Sequence, residues 1–162
     1  MKLKSAVVGI DDIKKVVEAD IICFNGFCSV HQLFTVDDID FYREKYPGIL
    51  VAVHPECDPA IVAKADFSGS TSQLINYITN EISADQKVVV GTEFNMVNRL
   101  RPKNTYVLSS TKPECPTMNE TVLEDLYNVL VSIKNETYDN EIIIPVEVAK
   151  YAKIALNRMF EV

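Results

Sequence analysis

Ile49-Leu50-Val51-Ala52-Val53 limits most strictly what this chain can become. Five apolar residues in succession, with no polar residue at alternate positions, do not suit a strand with one wet face. They suit a strand covered on both faces, as in parallel sheets. Runs of the same kind recur at Ala6–Ile10, Asp20–Phe24, Lys87–Val90 and Thr105–Leu108, with a weaker strand at Ala65–Gly69. Helical patterns fall between them. They are a short acidic-started segment at Asp11–Glu18, Val36, Ile39 and Tyr42 at a spacing of three, and a proline-started helix at Pro59–Ala65. Leu74, Ile75 and Ile78 follow Ser70-Thr71-Ser72, and Met96, Val97 and Leu100 follow Gly91-Thr92-Glu93. This alternation predicts an α/β fold: a three-layer α/β/α arrangement with a short, mainly parallel sheet.

Punctuation residues set the element ends. Thr35-Val36-Asp37-Asp38 has the form of a capping box with Asp in place of Glu or Gln, and Pro47-Gly48 stops the helix that it opens. Ser109–Asn119, with two prolines and Cys115, interrupts the alternation. Thr121-Val122-Leu123-Glu124 then reads as a full capping box, opening a helix with Val122, Leu126, Val129, Leu130 and Ile133 at helical spacing. The run Glu141–Ile144 and a helix over Val146–Phe160 complete a C-terminal helical tail.

The formal charge of −7 argues against general nucleic-acid binding, which needs surplus Lys and Arg to neutralise phosphate. No apolar run approaches the roughly 20 residues of a membrane span. Met1–Ser5 has two lysines without an apolar core after them, unlike a signal peptide. A cytoplasmic protein with reduced cysteines is the expectation.

Parallel crossovers are right-handed, so the loops that follow the strands gather along one edge of the sheet, where open α/β folds build sites. His54-Pro55-Glu56-Cys57 follows one strand and places an imidazole and a carboxylate two residues apart. A partly desolvated Glu can move protons near neutral pH and a nearby His can hold a substrate oxygen; satisfying loop hydrogen bonds is the other use of such a pair. Gly69-Ser70-Thr71-Ser72 suits an anion at a helix start or ordinary capping. Cys28 and Cys115, in loops beside glycine or proline, suit accessible ligands, whereas Cys23 reads as a buried small hydrophobe. Cys57 reads either as a ligand or as packing, and a thiol enzyme using Cys57 with His54 is a further reading. His31 reads as a polar loop residue or as a group that supports Cys28, Gly91-Thr92-Glu93 as a rim or a turn, and the tyrosines at 42, 46 and 77 as packing. The acids at 37, 38 and 40 read as a solvated helix face.

Several of these pieces, in this order, resemble the quinolinate synthase family. They are Asn25-Gly26-Phe27-Cys28-Ser29-Val30-His31-Gln32-Leu33-Phe34-Thr35, Val53-His54-Pro55-Glu56-Cys57 and Ala65-Asp66-Phe67-Ser68-Gly69-Ser70-Thr71-Ser72. With them come Gly91-Thr92-Glu93, Cys115-Pro116-Thr117-Met118 and the ending Leu156-Asn157-Arg158-Met159-Phe160-Glu161. The resemblance implies an enzyme of de novo NAD biosynthesis, of the transferase class. It would condense iminosuccinate with dihydroxyacetone phosphate to give quinolinate, phosphate and water. It also implies a four-iron–four-sulfur cluster on three cysteines, with one iron acting as a Lewis acid.

By the same resemblance Cys28 and Cys115 are cluster ligands, Glu56 the acid/base carboxylate and His54 a catalytic group. His54, Pro55, Glu56, Ser70 and Thr71 are substrate contacts, and Cys57 is not a ligand. The 162 residues match only the later part of the family's sequence and carry no counterpart of its first cluster cysteine or of its His-x-Tyr motif. Residues 1–19 are then read as a remnant of a preceding unit, 20–112 as the α/β unit with the site motifs, and 113–162 as the cysteine loop and C-terminal helices. Activity is expected only with the N-terminal portion present, either in a longer protein of which this is a fragment or in a complementary polypeptide. The alternative is a non-catalytic α/β module that binds a small anion or a protein partner.

Overall fold

The computed structural model describes residues 5–8, 21–100 and 104–161, which fall into two compact units, Met1–Pro116 and Thr117–Val162. In the first unit, strands β1 (Ser5–Val8) and β2 (Ile21–Phe24) form a parallel pair in which Val8 lies beside Phe24. The helix expected over Asp11–Glu18 lies outside the described residues. A four-stranded parallel sheet follows, built from β3 (Leu50–Val53), β4 (Phe67–Ser68), β5 (Val88–Gly91) and β6 (Thr105–Val107) in the order β4-β3-β5-β6.

The apolar runs are buried on both faces, for the reason the sequence suggested. Val51 and Val53 of β3, Val89 of β5 and Leu108 just after β6 join a core cluster with Ile39 and Ile61. Ile39 lies on α1 (Val36–Lys45) and Ile61 on α2 (Pro59–Lys64). Ala52, Val88 and Val90, at the alternate positions, pack instead with Leu74, Ile78, Met96 and Val97. These come from α3 (Thr71–Asn76), from the π-helical turn Tyr77–Glu81 that continues it, and from α4 (Phe94–Leu100). Two helical layers therefore sandwich the sheet, and full burial of each such aliphatic side chain stabilises by about 1.5–3 kcal/mol.

Local chemistry explains the helix ends. The Thr35 hydroxyl accepts the Asp38 amide at 3.1 Å while the Asp38 carboxylate accepts the Thr35 amide at 3.0 Å, so Asp completes the capping box as Glu would. The chain leaves α1 through Gly48 at φ +83°, a conformation that favours glycine. At the far end of β5, a Cβ on Gly91 would stand 3.0 Å from Val53 Cγ1 and 3.1 Å from Leu108 Cδ2, so three strand ends meet there at glycine-only spacing.

Two expectations for this region and its neighbour are corrected. Cys23 is exposed, and so is Ile22 beside it, on a strand that pairs only with β1 among the described residues. In the second unit, the helix expected to be capped by Thr121 and Glu124 starts one residue later, as α5 (Leu123–Lys134). Val122 takes the extended cap conformation, and the Asp125 carboxylate accepts its amide at 2.9 Å. Residues 141–145 carry no regular structure and Ile142 and Ile143 are more than 80% exposed, so this apolar run is not a strand. The final helix, α6, spans Val146–Met159.

Candidate active site

The loop after β3 continues the strand's hydrogen bonding before it turns. The His54 amide donates to the Gly91 carbonyl at 3.0 Å and the Cys57 amide to the His54 carbonyl at 3.0 Å. Pro55 is exposed between them. The Glu56 amide donates to His54 Nδ1 at 3.3 Å, which leaves the His54 proton on Nε2. Glu56 thus stands on a tight turn fixed to the sheet edge, with its side chain 59% exposed.

His31 organises the group. It is 7% exposed, and its Nδ1 lies 3.1 Å from Glu56 Oε2 and its Nε2 3.1 Å from the buried Thr92 hydroxyl. Its ring stacks on His54 with centroids 4.4 Å apart and planes within 5°. Burial, then the neighbouring His54 ring, lower the His31 pKa from its ordinary value against the opposing pull of Glu56. A neutral imidazole is favoured, with one nitrogen donating and the other accepting. The loops after β2, β3 and β5 each supply part of this group, through partners 25 and 61 residues from His31 in sequence. No local pattern marks such pairs; the signal was a histidine three residues after a loop cysteine.

Thr92 starts the segment that leads into α4. Beside it, the buried Glu93 carboxylate accepts the Met96 amide at 3.1 Å and the Asn95 side-chain amide at 3.0 Å, so Glu93 caps α4. The Phe94 amide donates to the Pro113 carbonyl at 2.9 Å, which ties the Cys115 loop to the same corner. Cys28 and Cys115 are both half-buried and pack against the core cluster that contains Cys57. A cleft of about 620 Å³ opens beside Cys28, lined by Phe27, Cys28, Gln32, Glu56 and Cys57 among others.

Cys57 itself is a packing residue. It is 4% exposed, its thiol faces the Gly91 carbonyl at 3.5 Å, and burial pushes its pKa up to about 12. A nucleophilic cysteine needs access and a lowered pKa, so the burial of Cys57 and the upward direction of its pKa count against the thiol-enzyme reading. Gly69 donates to the Val53 carbonyl at 3.2 Å, so Ser70 and Thr71 start α3 next to the strand that carries His54. Ser70 caps α3, accepting the Gln73 amide at 3.4 Å while the Gln73 side chain accepts the Ser70 amide at 2.8 Å. Both Ser70 and Thr71 are exposed.

Among the described residues, no helix is long and apolar enough to cross a membrane. The family model described as quinolinate synthetase A protein matches residues 9–161. Two curated Helicobacter pylori proteins, both named quinolinate synthase, are 55% (strain 26695) and 54% (strain HPAG1) identical over 163 residues. Each match takes in 98% of this chain and 48% of the relative. A quinolinate synthase of Geobacillus kaustophilus is 40% identical over 155 residues, 93% of this chain and 41% of its own length. The chain spans about half the length of the curated relatives that it matches. It belongs to the quinolinate synthetase A protein family.

Proposed function

We propose that this chain is the later portion of a quinolinate synthase, a cytoplasmic transferase, and that it condenses iminosuccinate with dihydroxyacetone phosphate only when the earlier portion is also present. The single observation that carries this reading is the convergence of His54, Glu56, His31 and Thr92 from separate strand ends beside one cleft that Cys28 also lines. These are the residues of the family's ordered motifs, and the fold gathers them without help from any other chain.

The donor set fits part of an iron–sulfur ligand shell: Cys28 and Cys115 are half-buried thiols on one core cluster. They would hold the four-iron–four-sulfur cluster with a third cysteine from the complementary portion; Cys57 faces the core instead. When bound, the cluster supplies Lewis acidity to substrate oxygens. The protein's own part is proton movement and positioning. Glu56 presents an exposed carboxylate held at one oxygen by His31, so its other oxygen is available to a substrate proton. His54 keeps its Nε2–H for a substrate oxygen because its Nδ1 is occupied by the Glu56 amide. Pro55 stiffens the turn between them. Ser70 and Thr71 bind the diacid, the capping role of Ser70 using a lone pair and leaving its hydroxyl proton to donate.

The test is anaerobic iron–sulfur reconstitution of the chain alone and mixed with an N-terminal portion, read by visible absorbance, iron content and quinolinate formation. Cluster and product in the mixture only are expected. In that mixture, Glu56→Gln abolishes product and leaves the cluster spectrum intact. A mixture that binds no iron would overturn this reading in favour of an anion-binding module, and unchanged turnover in Glu56→Gln would remove Glu56 from the chemistry.

A further inference from the structure

The two stacked imidazoles hold Glu56 at both of its ends. Its amide donates to His54 Nδ1 at 3.3 Å, and its Oε2 lies 3.1 Å from His31 Nδ1. A carboxylate can only accept, so His31 Nδ1 carries the proton in this pair. The neutral ring then has a bare Nε2, and the Thr92 hydroxyl, 3.1 Å away, is its donor. Three side chains therefore form one line of hydrogen bonds with a single direction, from Thr92 through His31 to Glu56.

The line starts from the sheet. Thr92 is 3% exposed and directly follows Gly91, whose carbonyl accepts the His54 amide. The hydroxyl and the turn that carries Glu56 thus share one anchor, the end of β5. His31 is flanked in its loop by the buried Val30 and by Phe34, whose ring stands 6.4 Å away, and His54 covers its face. The imidazole has both nitrogens bonded and its plane fixed. Glu56 is different, since its side chain is mostly exposed and without the His31 bond would turn among several rotamers. A reacting group misplaced by about 1 Å can lose about a hundredfold in rate.

We infer that His31 and Thr92 are positioning residues for Glu56: Thr92 donates to His31 Nε2, His31 Nδ1–H donates to Glu56 Oε2, and Oε1 is left as the oxygen that meets a substrate proton. The inference rests on the reading of Glu56 as the acid/base group. It adds two residues that act on the chemistry through Glu56 and need no contact with substrate.

Two replacements of His31 separate positioning from packing. The Asn amide reaches the place of Nδ1 and keeps a donor for Glu56, whereas the Gln amide reaches the place of Nε2 and meets only Thr92. In the mixture reconstituted with the earlier portion, His31→Gln is expected to lower kcat about a hundredfold with KM nearly unchanged, and His31→Asn by about tenfold or less. Thr92→Val lowers kcat and Thr92→Ser restores it, with the cluster spectrum unchanged in both. A second measurement needs no substitution: nitrogen NMR of the wild-type chain alone should show His31 protonated at Nδ1 and bare at Nε2. Equal losses in His31→Asn and His31→Gln would overturn the inference, as would a loss confined to KM or a ring protonated at Nε2. A wild-type mixture that holds the cluster but makes no product would instead overturn the reading of Glu56 on which the inference rests.

Discussion

Alkylation of Cys57 gives the sharpest check on how the site corner is built. Its pKa stands near 12 against an ordinary value of 9.0, because the thiol is buried between the His54 turn and the β5 end. Only thiolate reacts, so three units of displacement make the reactive form about a thousandfold scarcer than in an ordinary thiol at the same neutral pH. The measurement is the second-order rate of iodoacetamide labelling against pH, resolved by residue with mass spectrometry. Exposed Cys23 in the same chain is the reference. Cys57 is expected to label about a thousandfold more slowly than Cys23 at pH 8, with a rate that climbs about tenfold per pH unit and does not level off until well above pH 9.

The same displacement has a stability consequence. Above pH 9 the unfolded chain releases a proton that the folded chain still holds. The stabilisation is therefore fully present below pH 9 and is lost as pH rises toward 12, by up to about 1.4 kcal/mol per pH unit. Denaturant midpoints at pH 8 and pH 10 would show it, and Cys57→Ala would lack that slope. Labelling of Cys57 within tenfold of Cys23 at pH 8, or a profile with its midpoint at or below 9, would refute the reasoning.

Thr92→Val is expected to lower stability by about 1–3 kcal/mol, because it strands one nitrogen of a buried imidazole; urea unfolding with unchanged slope checks this, and Thr92→Ser should restore most of the loss. Gly91→Ala should cost about 1–3 kcal/mol, since the added methyl meets Val53 and Leu108 side chains at 3.0 and 3.1 Å, and pairing it with Leu108→Val should recover part of the loss in thermal melts. Asp125→Ala should weaken the start of α5 by about 0.3–1.5 kcal/mol while Glu124→Ala is close to neutral, a difference readable as a change in helical circular dichroism on heating.

The sheet was legible because its code is local and redundant. Unbroken apolar runs flanked by capping residues left few alternatives for Leu50–Val53 or Val88–Gly91, and burial on alternating sides then separated the two core clusters. His54, Glu56 and Cys28 were legible as candidates because their loops follow strands. His31 and Thr92 were legible only as a possible support and a possible rim, since their roles depend on contacts across loops that the chain order does not couple. Cys23 differs from its sequence pattern because apolar neighbours in sequence are not apolar neighbours in space: β2 pairs only with β1 among the described residues, and Cys23 is exposed. At α5 two carboxylates, one residue apart, competed for the cap, and backbone geometry at Val122 chose Asp125.

The Gly91 carbonyl receives both the His54 amide and the Cys57 thiol, and the loop between those two contacts carries Glu56, which His31 holds and Thr92 supports in turn. Substitutions here are therefore expected to be epistatic. A replacement tolerated at residue 92 will be tolerated only with the present residue 31, and the effects of changes at 31, 56 and 92 will not add. Variation among relatives at this corner should move in concerted sets, with Gly91 as the position that can move least.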